Sequence, residues 1–160
     1  MTTDGAKGLH RALDTVYPYV LQQRCWAHKL RNVAARLPRK HQEACLGEAN
    51  GIYHAQTQRQ ARVLFRGWAA RWRSVATKAV ACLEENLDQL LPFLDFPKAH
   101  WKKVRTTNAI DRAFRGVSRR TRPMSCFPNS ARVDRIIYGV INHLNTELED
   151  KSLKQFTHFS

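Results

Sequence analysis

The stretch from Lys102 to Arg122 carries eight lysines and arginines and a single acid, Asp111. A carboxylate surrounded by guanidinium groups stays ionised, and two kinds of chemistry suit it. The first is structural. Asn108 is a good helix N-cap, Asp111 three residues later stands where a capping-box acid belongs, and Arg115 lies one turn further on for an ion pair. The second is functional: Asp111 holds a divalent cation such as Mg²⁺ beside a phosphodiester, and the surrounding cations grip the nucleic-acid backbone. Lys102, Lys103 and Arg105 lead into this block, and Asn108, Arg112 and Arg115 run along it. Arg119, Arg120 and Arg122 close it, with so few acids nearby that they repel one another unless phosphate is present. Such contacts position a protein on DNA without reading its sequence.

Asp4 is the natural companion. It follows Thr2-Thr3, which reads as a strand end, and precedes Gly5. It is either an Asx-turn or N-cap acid for the helix that follows or a second cation ligand. Cys25 and His28 have the spacing of two zinc ligands, but no second pair completes a tetrahedron, so packing or hydrogen bonding is the better reading. His41 and Cys45 lie four apart on a helix, with nothing tying them to Cys25. Trp68 and Trp72, one turn apart with Phe65 nearby, read as core packing rather than as a base-stacking platform.

The whole chain agrees with a polyanionic partner. Its 160 residues include 27 Lys and Arg against 13 Asp and Glu, a formal net charge of +14. A surplus of that size points to nucleic acid, although a ribosome-associated or merely basic domain has the same signature. The 43% apolar content is enough for a packed core. No run approaches the ~20 apolar residues needed to span a bilayer, and the N-terminus lacks the apolar core of a secretory signal. Four cysteines, Cys25, Cys45, Cys82 and Cys126, are too sparse for a disulfide framework, so reduced thiols in a cytoplasm are expected.

The elements that must position these residues are mostly helical. Ala6 to Val16 is helix-like, with Leu9, Leu13 and Val16 on one face, and stops before Pro18. Tyr19 to Trp26 is the best strand in the chain. Helical periodicity returns with Leu30, Val33, Ala34 and Leu37, and Pro38 ends it. From Arg39 to about Leu94 two or three helices are expected, with breaks near Ala55–Thr57 and near Ser74. A helix then begins near Asn108 with Ile110, Phe114 and Val117 toward the core, leaving Asp111, Arg115, Ser118 and Arg122 on the other side. A loop around Pro123 and Phe127-Pro128-Asn129 precedes a last amphipathic helix from Ser130 to about Leu148. One strand among so many helices cannot satisfy its own backbone, which hints at a larger sheet.

Three blocks, TDGAKGL (Thr3–Leu9), QRCWAHKLRNV (Gln23–Val33) and HWKKVRTTNAIDRAFRGVSRRTR (His100–Arg122), resemble the Mutator-type bacterial insertion-sequence transposases, in the family's order. The resemblance runs from Thr3 to about Leu148. It implies the C-terminal fragment of a ribonuclease-H-like α/β catalytic domain of the DDE type, mostly α with one or two short strands and an all-helical insertion. The implied layout is a partial catalytic core at 1–38, the insertion at 39–98, the rest of the core at 99–150 and a tail at 151–160. Asp4 becomes the second catalytic acid and Asp111 the third, both ligands of Mg²⁺ or Mn²⁺. Cys25 and His28 match the family's Cys-x-x-His signature near the site. The implied function is DNA transposition by metal-dependent strand cleavage and transfer. The partners are transposon-end and target DNA and further copies of the chain, in the bacterial cytoplasm at the nucleoid.

Two departures from the family pattern stand out. The third acid is normally glutamate, and Asp111 is one methylene shorter. The first catalytic aspartate is expected upstream of Met1, so the chain alone is expected not to catalyse transposition. A non-catalytic DNA-binding or regulatory fragment is the alternative, and a general RNA-binding domain a weaker one.

Overall fold

A computed structural model describes residues 1–124 and 129–149. The expectations for Phe127-Pro128, Cys126 and the tail from 151 lie outside the described residues. The architecture is mostly helical with two short strands, as expected. Two compact units divide between Thr107 and Asn108.

The first unit opens with a parallel βαβ turn. Strand β1 (Thr2–Thr3) leads through helix α1 (Lys7–Val16) to strand β2 (Gln23–Arg24), in register Thr2 with Gln23 and Thr3 with Arg24. The ladder is made by Gln23 N–H to Met1 O at 2.8 Å and Cys25 N–H to Thr3 O at 2.7 Å. The expected strand over Tyr19–Trp26 is therefore corrected to two residues. Upstream, Tyr19 is 99% exposed; downstream, Trp26 already opens a helix.

Helices α2 (Trp26–Ala34), α3 (Arg39–Tyr53), α4 (Gln58–Trp72), α5 (Thr77–Glu84), the short α6 (Leu87–Leu90) and α7 (Lys98–Val104) follow, with a 3₁₀ turn at Pro92–Asp95. The two breaks that the sequence suggests are present, and a further one after Glu84 sets off the short α6, so the expected two or three helices are corrected to four. Thr57 caps α4 by accepting from Gln60 N–H at 3.1 Å, while Gln60 Oε1 accepts from Gln56 N–H at 2.8 Å. This reciprocal arrangement satisfies donors that a helix start leaves orphaned.

One apolar core joins Trp26 and Val33 of α2 to Cys45, Ile52, Phe65, Trp68, Leu83 and Phe93. The tryptophans pack as expected. Trp68 is buried and donates to Cys45 O at 3.0 Å, and half-buried Trp72 donates to Glu48 Oε2 at 3.0 Å. Gln23 ties the strand to this helical body: its Nε2 donates to Leu90 O at 3.1 Å and its Oε1 accepts from Phe93 N–H at 2.8 Å.

The second unit holds α8 (Asn108–Thr121) and α9 (Ser130–Glu149). On α9, Val133, Ile136, Ile137, Val140 and Leu144 form the less exposed stripe that the periodicity marks. On α8 the expected apolar face is corrected, because Ile110 is 54% and Phe114 67% exposed. Within this unit α8 packs on α9 alone. A side chain at Gly116 would come within 3.3 Å of Val140 Cγ1, so the close approach centres on that glycine and turns Ile110 and Phe114 outward.

Candidate nucleic-acid and cation site

Asp4 stands exposed immediately after β1, at the carboxyl end of a parallel strand. Its Oδ1 accepts from Ala6 N–H at 2.9 Å, the Asx-turn that the sequence allows. Gly5 takes φ +91°, a backbone conformation that favours glycine.

Asp111 lies in the first turn of α8, half-buried, and its carbonyl accepts from Arg115 Nε at 3.4 Å. Asn108 is itself the first residue of that helix. Asn108, Arg112, Arg115, Arg119 and Arg122 recur at three- and four-residue spacing on one face of α8 that flanks Gly116, and all are exposed. Arg120, also exposed, lies nearer the α9 side and donates to Gly116 O at 3.3 Å. Lys102 and Lys103 are exposed in the last turn of α7.

Arg105 differs from the other cations. Its guanidinium lies 3.9 Å from the Tyr53 ring centroid, and its backbone carbonyl accepts from Trp26 N–H at 3.0 Å. That cation–π seat binds α3 to the end of α7.

Cys25 and His28 form a cluster with Thr107, the residue just before α8. Cys25 is fully buried and its sulfur accepts from Thr107 N–H at 3.3 Å and from the Thr107 hydroxyl at 3.4 Å. His28 Nδ1 lies 3.2 Å from the same sulfur and 3.3 Å from the Thr107 hydroxyl. The Thr2 hydroxyl also donates to Val104 O. Together with the Trp26–Arg105 bond, these contacts stitch residues 104–107 to the ends of both strands. The signature is thus a hydrogen-bonded latch. Thr107 and Gln23 were missed from sequence, although Gln23 sits in the QRCW block and Thr107 adjoins Asn108.

Burial pushes the Cys25 thiol up, but hydrogen bonds from the Thr107 hydroxyl, from His28 and from the Thr107 backbone outweigh it. The net value lies below the ordinary thiol value of 9.0. A thiol with a lower pKa folded than unfolded stabilises the fold above its unfolded pKa and loses that contribution as pH falls through the folded one. Raising pH from neutrality toward 9 should therefore stabilise the chain relative to Cys25→Ser. Denaturant midpoints of both proteins against pH measure this, and a difference that stays flat with pH contradicts the latch electrostatics.

Among the described residues no three His, Cys, Asp or Glu side chains cluster at cation-binding spacing. The donor chemistry of Asp4 and Asp111 nevertheless suits a hard divalent ion. Mg²⁺ is commonly held by one or two carboxylates, with waters and substrate phosphates completing its shell. No helix among the described residues is long and apolar enough to cross a membrane.

Comparison with known proteins adds to this geometry. A family model described as "Transposase, Mutator family" matches residues 1–151. The chain is 39% identical over 129 residues to the transposase for insertion sequence element IST2 of Acidithiobacillus ferrooxidans, covering 80% of this chain and 44% of that protein. It is 38% identical over 119 residues to the transposase for insertion sequence element IS6120 of Mycolicibacterium smegmatis, covering 74% and 37%. With the transposase for insertion sequence element IS905 of Lactococcus lactis it shares 32% identity over 155 residues, 97% of this chain and 38% of that protein. The chain therefore spans less than half the length of these relatives.

Proposed function

The chain belongs to the Mutator family of transposases, and from that premise we propose that it forms part of the catalytic region of an insertion-sequence transposase. In this reading Asp4 and Asp111 are cation-binding carboxylates, and the arginine face of α8 seats DNA phosphates. The observation that carries it is the place of Asp4, an exposed carboxylate at the carboxyl end of a parallel strand. Open α/β sheets bind their ligands at those ends. The parallel β1–α1–β2 unit also supports a ribonuclease-H-like core, with α3 to α6 as its helical insertion.

The chemistry is cleavage of a phosphodiester at a transposon end and transfer of the freed strand to target DNA. Asp4 and Asp111 would hold Mg²⁺ or Mn²⁺, which when bound activates the attacking oxygen and stabilises the leaving one. Arg112, Arg115, Arg119 and Arg122 neutralise phosphates and orient the duplex, and Lys102 and Lys103 on α7 offer further phosphate contacts. The Cys25–His28–Thr107 latch fixes the segment that leads into the helix bearing Asp111. The protein acts with further copies of itself on DNA at the nucleoid.

Cation uptake tests the reading directly. Titrating Mn²⁺ into the chain with duplex DNA, followed by loss of the free-ion electron paramagnetic resonance signal, should show uptake of up to about two ions per chain. Asp4→Asn and Asp111→Asn should each reduce it. Uptake unchanged by both substitutions, with DNA binding retained, would mark a non-catalytic DNA-binding protein instead.

A further inference from the structure

We propose that the Arg24 guanidinium is a phosphodiester-binding group beside Asp4, a role that rests on the reading of Asp4 just given. Arg24 ends β2 and pairs in register with Thr3, the residue before Asp4. Its side chain lies across the turn that follows Asp4. A Cβ placed on Gly5 would come within 2.3 Å of Arg24 Cζ, 2.4 Å of its Nη2 and 2.6 Å of its Nε. The glycine thus serves the turn twice, by its positive φ and by leaving the guanidinium room to lie flat.

Held there, Arg24 has a charge and a hydrogen-bonding fork with little to satisfy them. It is half-buried and forms no ion pair among the described residues. Its Nε is buried without a hydrogen-bond partner, and Nη1 reaches Gln89 Oε1 only at 3.5 Å. Lys29 is buried nearby: burial pulls its amine down, Cys82 and Glu85 oppose that, and the charge of Arg24 adds to it. Helix α1 starts two residues beyond Gly5 with no acid in its first turn, so its N-terminal dipole adds to the positive field. A partly desolvated guanidinium without an anion is costly, and its planar fork matches two phosphate oxygens. A DNA phosphodiester presented to Asp4 supplies both the missing charge and the missing acceptors.

Fluorescence anisotropy of a labelled duplex, measured against salt concentration in chelator-containing buffer, tests this apart from any bound cation. Losing one phosphate contact should make the slope of log K against log salt shallower by about 0.9. Arg24→Gln should therefore bind roughly eightfold more weakly at 0.1 M salt, if affinities converge near 1 M. Arg24→Lys keeps the charge but not the fork, so the slope should hold while affinity falls about fivefold. If circular dichroism shows Arg24→Gln unfolded, Arg24→Lys decides alone, and wild-type affinity in that protein overturns the proposal. A folded Arg24→Gln chain with wild-type slope and affinity overturns it too, leaving the role of Asp4 intact. A wild-type chain without salt-sensitive DNA binding removes both readings together.

Discussion

Replacing Arg115, Arg119 and Arg122 together with glutamine should weaken duplex DNA binding about 500-fold at 0.1 M salt. The three side chains are exposed on a face of α8 that flanks the Gly116–Val140 contact. Each phosphate neutralised contributes about 0.9 to the salt slope, so losing three makes it shallower by about 2.7. Extrapolated to common affinities near 1 M salt, that difference becomes the stated loss. The helix should survive, because glutamine is about as good a helix former as arginine and all three side chains are exposed. Anisotropy titrations at several salt concentrations measure both slope and affinity. A loss under tenfold would remove α8 as the DNA face, and a loss equal at all salt concentrations would point to unfolding.

Trp26→Ala is the substitution expected to cost most in stability, about 3–5 kcal/mol. Trp26 is fully buried, and its indole packs edge-on against Tyr53 at 5.7 Å between ring centroids. Its Nε1 donates to Leu90 O at 2.6 Å. Truncation opens a cavity between α2, α3 and the segment around Leu90, and residual collapse cannot fill a space that size. Trp26→Phe keeps most of the apolar contact and loses only the indole donor. Leu90 O still accepts from Gln23, so this change should cost nearer 1 kcal/mol from the lost bond. Urea unfolding of the three proteins gives the comparison. A cost below 1 kcal/mol for the alanine variant would mean that Trp26 does not join the strand to the helical body.

Much of the fold was legible in the chain. Apolar residues at helical spacing, with Pro18, Pro38, Pro92 and Pro97 between them, place α1, α2, α4, α5 and α9 within a few residues, because helix hydrogen bonds close within four residues. The block pattern around Asp4, Cys25 and Asp111 carried the family, and the charge balance carried the expectation of DNA. Lys29 shows a partial signal: it falls between Trp26 and Val33 on the inward stripe of α2, yet its charge argued for the surface. Its burial is satisfied by Asn86, whose side chain accepts from the ammonium.

What the sequence by itself determined, then, was local periodicity, composition and the spacing of motif residues. The tertiary structure alone decided which residues β2 pairs with, since Gln23 and Arg24 meet Thr2 and Thr3 only once α1 has folded between them. It also decided that Arg105 lies on Tyr53, that Arg24 lies across Gly5 and that Cys25 is latched to Thr107. Each of these contacts joins segments far apart in the chain or places a flexible side chain among several alternatives. No local pattern specifies such a partner; it is selected when the core brings the two segments together and buried polar groups must find one another.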